Sequence, residues 1–199
     1  MVDRQLRRRG IQDRRVLAAM ASVPREEFVP PESADRAYRD GAMAIGHEQT
    51  ISQPWIVARM CELLELEGPE RVLEVGTGSG YGAAVLARLC AHVVSVERLP
   101  ALSAGAGHAL AELGVRNVEL RIGDGTAGVA DRAPFDAICV TASAAGNQPP
   151  AALVEQLAPG APLVCPLDRE GEEHLAVMRD GQVESVAPVR FVPLVEGGA

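Results

Sequence analysis

Residues 72–81 read VLEVGTGSGY and decide how this chain folds. The apolar run before Gly76 has the composition of a buried strand, and a helical pattern begins at Tyr81, directly after the last glycine. Glycines at alternate positions let the backbone turn tightly and come within contact distance of a ligand. The segment therefore predicts a strand, a ligand-binding turn and a helix in direct succession.

The same alternation of strand and helix continues along the chain. Apolar runs predict strands at 71–76, 92–97, 118–124, 135–142 and 162–167. Helical spacing of apolar residues predicts helices at 55–65, 81–90, 99–113 and 150–157. We expect a hairpin at 174–185 and a last strand at 189–194 that closes the sheet. This order predicts an α/β fold with a doubly wound, mostly parallel sheet and an antiparallel edge.

The first 54 residues have a different, irregular pattern. We expect a helix over 2–9 that ends at Gly10, and a second helix over 14–22 with Asp13 as its N-cap. Prolines in 23–33 predict extended or turning backbone, and 45–54 reads as a loop that closes on Pro54. The N-terminal arginines form either a solvated helix face or a docking patch for an acidic partner; they are Arg4, Arg7, Arg8, Arg9, Arg14 and Arg15. We expect a single domain over 1–199, with an N-terminal helical extension (1–54) and an α/β core (55–199).

Composition excludes several classes of protein. The chain is 47% hydrophobic and 23% charged, which is ordinary for a globular protein. Its formal net charge of −8 argues against a nucleic-acid-binding surface. No apolar run approaches the roughly 18 residues of a membrane span. The cysteines have no metal-site spacing and stand in apolar surroundings, at Cys61, Cys90, Cys139 and Cys165. We expect a reduced, cytoplasmic protein without a metal, a nucleic-acid partner or a membrane partner.

Acidic residues around the glycine turn indicate which cofactor it binds. Glu97 ends the next predicted strand, where a carboxylate suits the hydroxyls of a ribose. The dinucleotide pattern G-x-G-x-x-G fails, because its last small residue would fall on the bulky Tyr81. With Glu74 in front, the pattern is instead E-x-G-x-G-x-G, typical of S-adenosylmethionine methyltransferases. Asp124 follows the third strand of this series, where it could accept from the adenine amine. We predict S-adenosyl-L-methionine as the cofactor.

Taken together, these segments resemble the protein-L-isoaspartate O-methyltransferase family over nearly the whole chain. The segments most specific to this family are the glycine turn, QTISQP at 49–54 and VRFVPL at 189–194. The resemblance implies a Rossmann-like class I methyltransferase that moves a methyl group from S-adenosylmethionine to the α-carboxylate of L-isoaspartyl residues in damaged proteins and peptides. The ester then collapses to a succinimide, whose hydrolysis returns some normal aspartate, and S-adenosyl-L-homocysteine is the by-product.

The resemblance also implies roles for individual residues. Ser52 matches the family's active-site serine, and Thr141 and Ala142 match a segment near the substrate. A substrate carboxylate is already ionised at neutral pH and needs no base to attack the methyl group. We therefore predict that Ser52 donates a hydrogen bond that orients this carboxylate. The predicted cofactor-binding residues are Thr50, Ile51, Glu74, Gly76, Thr77, Gly78, Ser79, Glu97, Asp124 and Gly125.

Departures from the family pattern fall on the substrate side. His47 and Glu48 stand where the family has small residues. Either they are solvated loop residues, or they make the entrance to the site narrower and change its charge. The segment SAAGNQPP, 143–150, is longer and more polar than is usual in the family. These changes leave two alternatives open: a dedicated aspartyl O-methyltransferase that forms aspartimide on one modified peptide, and a cofactor-binding module without catalysis. We expect a monomer that acts on isoaspartyl-containing proteins.

Overall fold

Short helical segments open the chain in the computed structural model, which describes residues 1–197. A π-helical segment, Val2–Leu6, runs into a 3-10 turn that ends at Gly10, as predicted. Helix α1 (Arg14–Ser22) begins at Asp13, whose carboxylate accepts from the backbone N–H groups of the first turn, so the predicted cap is confirmed. Two 3-10 helices follow, Arg25–Phe28 and Pro31–Arg36, where extended or turning backbone was expected.

Two of the N-terminal arginines contact other parts of the chain. Arg9 pairs with Asp40 and stacks on the ring of Trp55, with the guanidinium carbon 4.8 Å from the ring centroid. Arg15 donates to two backbone carbonyls of the α/β core, those of Leu66 and Leu89. The remaining arginines of this segment are exposed, at Arg4, Arg7, Arg8 and Arg14. Part of this basic run therefore attaches the N-terminal segment to the core.

A small hairpin follows where a loop was expected. Strands β1 (Met43–Gly46) and β2 (Gln49–Ile51) pair antiparallel across a two-residue turn. The turn residues are His47 and Glu48, with φ of +51° and +58°. Tight hairpin turns of this kind normally carry Asn-Gly or Asp-Gly, so the sequence lacked the usual hairpin signal.

The remaining elements build the α/β core. Its strands are β3 (Arg71–Val75), β4 (His92–Glu97), β5 (Val118–Ile122), β6 (Ala137–Val140), β7 (Ala144–Ala145), β8 (Leu163–Arg169), β9 (Glu172–Arg179) and β10 (Gln182–Pro188). Its helices are α2 (Pro54–Leu63), α3 (Tyr81–Leu86), α4 (Pro100–Glu112) and α5 (Ala151–Val154). The sheet order is β10-β9-β8-β6-β3-β4-β5, with β7 beside β8. Strands β8 to β5 in this order are parallel and β9 and β10 are antiparallel, so the predicted sheet is confirmed.

The centre of the sheet is buried on both faces. Val72, Leu73, Ile138 and Val140 in β3 and β6 have no exposed surface. Such continuous apolar strands are typical of parallel sheets that are covered by helices on each face. The burial fixes the carboxyl ends of β3, β4 and β6, where open α/β sheets bind their ligands.

Two helices are shorter than predicted, and each is followed by a contact with a segment distant in sequence. After α3, the side-chain amide of Asn117 donates to the carbonyls of Ala87 and Cys90. After α5, the backbone of Phe135 pairs with Gln156 and Ala158, which ends the helical ladder. In both places the last turn tightens into i→i−3 hydrogen bonds, such as Arg88 N–H to the Val85 carbonyl and Leu157 N–H to the Val154 carbonyl.

The predicted strand over 189–194 is wrong. Strand β10 ends at Pro188, and the chain then turns back across the carboxyl edge of the sheet. The Ser143 N–H donates to the Val192 carbonyl and the Leu194 N–H donates to the Ser143 carbonyl, each at 2.8 Å. Pro193 lacks an N–H, and its pairing with Ser143 stays a single bridge. We call residues 192–195 the crossing segment.

Two further findings concern residues 1–197 as a whole. No helix in that range combines the length and apolarity needed to cross a bilayer. No group of three or more His, Cys, Asp or Glu side chains in the same range is arranged to hold a metal ion.

Candidate active site

A cavity of about 310 Å³ lies at the carboxyl ends of β3, β4 and β6. Its size is within the range of small-ligand sites, about 300–1,000 Å³. The structure brings most of the predicted site residues to its wall: Thr50, Ile51, Ser52, Glu74, Gly76, Thr77, Gly78, Ser79, Glu97, Gly125, Thr141 and Ala142. Glu48 also lines the cavity, whereas His47 and Asp124 do not.

The glycine turn passes so close to other groups that side chains would not fit. Gly76 has φ +93°, and a Cβ there would collide with Oγ1 of Thr141. That hydroxyl donates to the carbonyls of Val75 and Gly76, at 3.0 and 2.6 Å, and so fastens the turn to the end of β6. Gly80 has φ +88°, and a Cβ there would lie 3.0 Å from the Cβ of Ala106 in α4. The turn is therefore shaped by its glycines and held from both sides.

Glu97 presents a fixed carboxylate to the cavity. One oxygen accepts from the Gly78 N–H at 2.9 Å and the other from the Leu99 N–H at 3.0 Å. The residue is only 6% exposed. A carboxylate has about four lone-pair sites, so capacity remains for hydroxyl donors from a ligand. This arrangement suits the ribose of a nucleoside.

Glu74 lies beneath the glycine turn with almost no exposure. Burial, reinforced by the negative charge of Glu97, raises its pKa to about 8, although the Ser95 hydroxyl donates to it at 2.5 Å and opposes this shift. Oγ of Ser95 is in turn 2.6 Å from Oγ1 of Thr77. At neutral pH the folded chain without ligand therefore keeps Glu74 mainly protonated. A cation in the cavity would favour the ionised form.

Asp124 is engaged outside the cavity. It accepts from the hydroxyl of Thr126 at 2.7 Å, from the Thr126 N–H at 2.8 Å and from the Gly197 N–H at 2.7 Å. These hydrogen bonds, led by that of the Thr126 hydroxyl, lower its pKa. Its neighbour Gly125 reaches the cavity wall. The expected contact of Asp124 with adenine stays a prediction.

The Ser52 hydroxyl is free to meet a ligand. Ser52 is partly exposed and follows β2, and its carbonyl accepts from Nη2 of Arg25 at 2.7 Å. Within residues 1–197 no hydrogen bond engages its Oγ. No histidine is among the cavity-lining residues that the structure describes. Because a serine nucleophile needs an adjacent base, the surroundings favour a donor role for this hydroxyl.

A second cavity of about 210 Å³ adjoins the first. The two share Thr50, Ser52, Thr141 and Val192. Its other lining residues are Ala42, Gln53, Ile56, Pro188, Val189, Arg190 and Phe191. Ser52 therefore stands where two cavities meet.

Sequence reasoning missed the crossing segment as part of the site. Val192, Pro193, Leu194 and Val195 all line the first cavity. VRFVPL was one of the most specific signals in the sequence, but it was assigned to the sheet. Pro193 within this stretch was a signal against a regular strand.

The family model of protein-L-isoaspartate(D-aspartate) O-methyltransferase matches residues 1–199. This chain belongs to that family.

Relatives and solved structures agree with this membership. Protein-L-isoaspartate O-methyltransferase 2 of an Anaeromyxobacter species is 53% identical, with 100% of this chain and 83% of that protein covered. Its counterpart in Yersinia enterocolitica is 51% identical over 97% of this chain and 93% of that protein. A solved protein-L-isoaspartate O-methyltransferase, 28% identical, superposes with a TM-score of 0.84 over 97% of this chain and 65% of its own length. A Plasmodium falciparum structure of the same family name, solved with S-adenosyl-L-homocysteine, gives 0.82 at 25% identity over 95% and 94% of the two chains.

The predicted family, fold class, enzyme class and cofactor are therefore confirmed. The enzyme is an S-adenosylmethionine-dependent protein carboxyl methyltransferase. The cavity fits this cofactor on its own evidence, because the glycine turn leaves space that a Cβ would fill. A Cβ at Gly82 would collide with Oε1 of Glu74, so the start of α3 is shaped in the same way. Glu97 supplies the acceptor for hydroxyl groups.

Proposed function

We propose that this enzyme methylates the α-carboxylate of L-isoaspartyl residues in damaged proteins and peptides, as a repair methyltransferase. The observation that carries the proposal is the position of Ser52, with an uncommitted hydroxyl where the two cavities meet. Curated relatives at about half identity carry the name of this activity. Nothing observed in the described residues favours the dedicated aspartyl enzyme.

The first cavity holds the cofactor in this proposal. The turn at Gly76 and Gly78 gives close backbone contact, and Glu97 accepts from the ribose hydroxyls. Thr50, Ile51, Thr77 and Ser79 would complete the wall around the cofactor, and Glu74 would be the acidic group available to its cationic part. When bound, S-adenosylmethionine supplies an activated methyl group on a sulfonium centre.

Ser52 orients the acceptor carboxylate. A carboxyl group has a reference pKa near 4, so the substrate is ionised at neutral pH and no base is required. The Ser52 hydroxyl donates a hydrogen bond that fixes the direction of a carboxylate oxygen and replaces part of its water shell. Thr141 and Ala142 line the same cavity, and the Thr141 hydroxyl fastens this part of the wall to the glycine turn.

The second cavity receives the peptide around the isoaspartyl residue. It begins at Ser52 and is bounded by Gln53, Phe191 and Arg190, so it combines amide, aromatic and cationic contacts. In this proposal the enzyme acts as a monomer. The segment 1–54 belongs, in this proposal, to the same domain and forms its substrate side.

We further assign the enzyme to a reducing compartment such as the cytoplasm. Its cysteines are free thiols in buried positions, at Cys61, Cys90, Cys139 and Cys165. Unpaired thiols of this kind are typical of proteins made in a reducing environment.

A pair of short peptides that differ only in one linkage tests the function. Labelled methyl transfer from S-adenosylmethionine is measured to an isoaspartyl peptide and to its normal aspartyl twin. We expect base-labile label on the isoaspartyl peptide alone. Equal labelling of both peptides, or labelling of the aspartyl twin alone, would refute the repair function.

A further inference from the structure

Arg25 is a fully buried cation between the N-terminal segment and the cofactor cavity. It has no exposed surface, and its desolvation lowers its pKa. Removing a charge from water is costly unless the charge is paired. None of the ion pairs in residues 1–197 includes Arg25, and its Nη1 has no hydrogen-bond partner there. Stability alone does not explain an arginine in this place, because an apolar side chain of similar volume would avoid the cost.

The contacts of Arg25 join the two sides of the site. Its Nη2 donates to the carbonyl of Ser52 at 2.7 Å, and its Nε donates to the carbonyl of Ala37 at 2.8 Å. The guanidinium carbon lies 4.8 Å from the ring centroid of Tyr81, the first residue of α3 after the glycine turn. Phe28 packs edge-on against the same ring. Ser52 and Tyr81 both line the cofactor cavity.

The shape of guanidinium matters for this bridge. Its planar fork donates in two directions within one plane while its face stacks on an aromatic ring, which an ammonium group cannot reproduce. The Ser52 carbonyl is attached to the residue whose hydroxyl meets the substrate. A shift of this carbonyl therefore shifts the Ser52 hydroxyl relative to the glycine turn.

We propose that Arg25 is a positioning residue for methyl transfer. It fixes Ser52 relative to the glycine turn, through its hydrogen bond to the Ser52 carbonyl and its contact with the Tyr81 ring. Arg25 itself does not touch the substrate. This inference rests on the role proposed above for Ser52. Misplacement of a reacting group by about 1 Å can cost about 100-fold in rate, so the effect falls on kcat.

Arg25→Lys tests the proposal, with Arg71→Lys as the matched control. Arg71 makes the same kinds of contact at the opposite end of β3: Nη2 donates to the carbonyl of Arg132 at 2.7 Å, and the guanidinium lies 5.9 Å from the ring centroid of Phe135. We measure kcat and KM for an isoaspartyl peptide, affinity for S-adenosylhomocysteine by calorimetry, and the melting temperature. In Arg25→Lys we expect kcat to fall by about 10- to 100-fold, with peptide KM and cofactor affinity changed by less than about threefold. Arg71→Lys should keep wild-type kcat.

The combination with Ser52→Ala separates this inference from the role of Ser52. If Arg25 acts through Ser52, Arg25→Lys should add little further loss in a Ser52→Ala background. A kcat for Arg25→Lys equal to that of Arg71→Lys, or losses that multiply in the double variant, would overturn the inference while leaving Ser52 in place. A silent Ser52→Ala would remove the role of Ser52 and, with it, this inference.

Arg25→Gln is the substitute variant if Arg25→Lys does not fold, because its side chain keeps a planar donor group without the charge. If Arg25→Lys fails to fold, the same measurements are made on Arg25→Gln, with the same expected split between kcat and cofactor affinity. Loss of cofactor binding and cooperative melting in both variants would assign Arg25 to stability alone and refute the proposal.

Discussion

The cofactor side and the substrate side of the cavity are built in different ways. The cofactor side comes mainly from one continuous stretch, 74–82, supported by Glu97 at the end of the neighbouring strand. The proposed substrate side is assembled from Ser52 just after the hairpin, Thr141 just after β6 and residues 188–192, which lead into the crossing segment and are far from the other two in sequence. The cofactor side depends on close backbone contact, whereas the substrate side depends on the relative placement of separate segments.

This difference predicts different consequences of substitution. The glycine turn joins β3 to α3, so altering it disturbs both cofactor binding and the core. Ser52 lies after a three-residue strand, and its hydroxyl has no partner in residues 1–197. Altering it removes a contact that matters only when substrate is present. Substitutions on the cofactor side should therefore change affinity and stability, and those on the substrate side should change turnover.

The largest expected effect is that of Gly76→Ala. The new Cβ collides with Oγ1 of Thr141 at a φ of +93°, and we expect a free energy of unfolding lower by about 1–3 kcal/mol. Affinity for S-adenosylhomocysteine should fall by about tenfold or more, since the displaced turn forms the cavity wall. Urea denaturation and calorimetry measure the two quantities.

Gly105→Ala in α4 is the control for this change. A Cβ at Gly105 meets nothing within 4 Å, so the substitution should leave affinity unchanged and raise stability by up to about 1 kcal/mol. Equal affinities for wild type and Gly76→Ala would contradict the account of the glycine turn.

A smaller effect is expected from Glu74→Gln, and it depends on pH. The pKa of Glu74 rises from its ordinary value near 4.5 to about 8 on folding, so between these values the unfolded chain ionises while the folded chain keeps the proton. This group's contribution to the free energy of unfolding therefore decreases as pH rises through that window, by about 1.4 kcal/mol per pKa unit as an upper bound. Gln cannot ionise, so the variant should gain stability relative to wild type between pH 5 and pH 8.

Urea denaturation of the cofactor-free enzyme at both pH values measures this gain. Glu155→Gln, on the exposed end of α5, changes the net charge equally and should give no such difference. Stability curves of wild type and Glu74→Gln that run parallel across this range would show that Glu74 is ionised in the folded chain. The same variant should bind S-adenosylhomocysteine more weakly, because the cavity loses a group that can ionise beside a cationic ligand.

The smallest effect is expected at the hairpin turn. His47 has φ +51° and does not line the cavity. His47→Gly should relieve about 1 kcal/mol of backbone strain in the folded state. Glycine also gives the unfolded chain more freedom, which offsets much of this gain, so the free energy of unfolding should change little. We expect kcat and KM within about twofold of wild type. Glu48→Gly is the comparison, since Glu48 lines the cavity and its loss should change KM for peptides with charged flanking residues. A large loss of turnover in His47→Gly would move this residue into the substrate side.

The sequence predicted the two sides of the cavity unequally. The glycine turn, Glu74 and Glu97 follow from local spacing because parallel strands bring their carboxyl ends to one edge. The hairpin went unseen because His47 and Glu48 replace the usual turn residues. The crossing segment was assigned to the sheet because its apolar residues look like a strand, and only its pairing with Ser143 shows otherwise.

Arg25 illustrates why the remainder could not be predicted. In the sequence it is one charged residue within VPREEF, and charged residues there suggest a solvated surface. Its burial results from the packing of Ser52, Ala37 and Tyr81 around it, which are 27, 12 and 56 positions away. Contacts of this kind depend on tertiary structure and leave no local pattern.

The most direct test of the division between the two sides is a single-turnover measurement on Ser52→Ala. Enzyme with saturating labelled S-adenosylmethionine is mixed with an isoaspartyl peptide, and the affinities for cofactor and peptide are measured separately. We predict methyl transfer slowed by about 10- to 100-fold with both affinities close to those of wild type. An unchanged transfer rate, or a loss confined to cofactor affinity, would contradict the role of Ser52 as the group that aligns the substrate carboxylate.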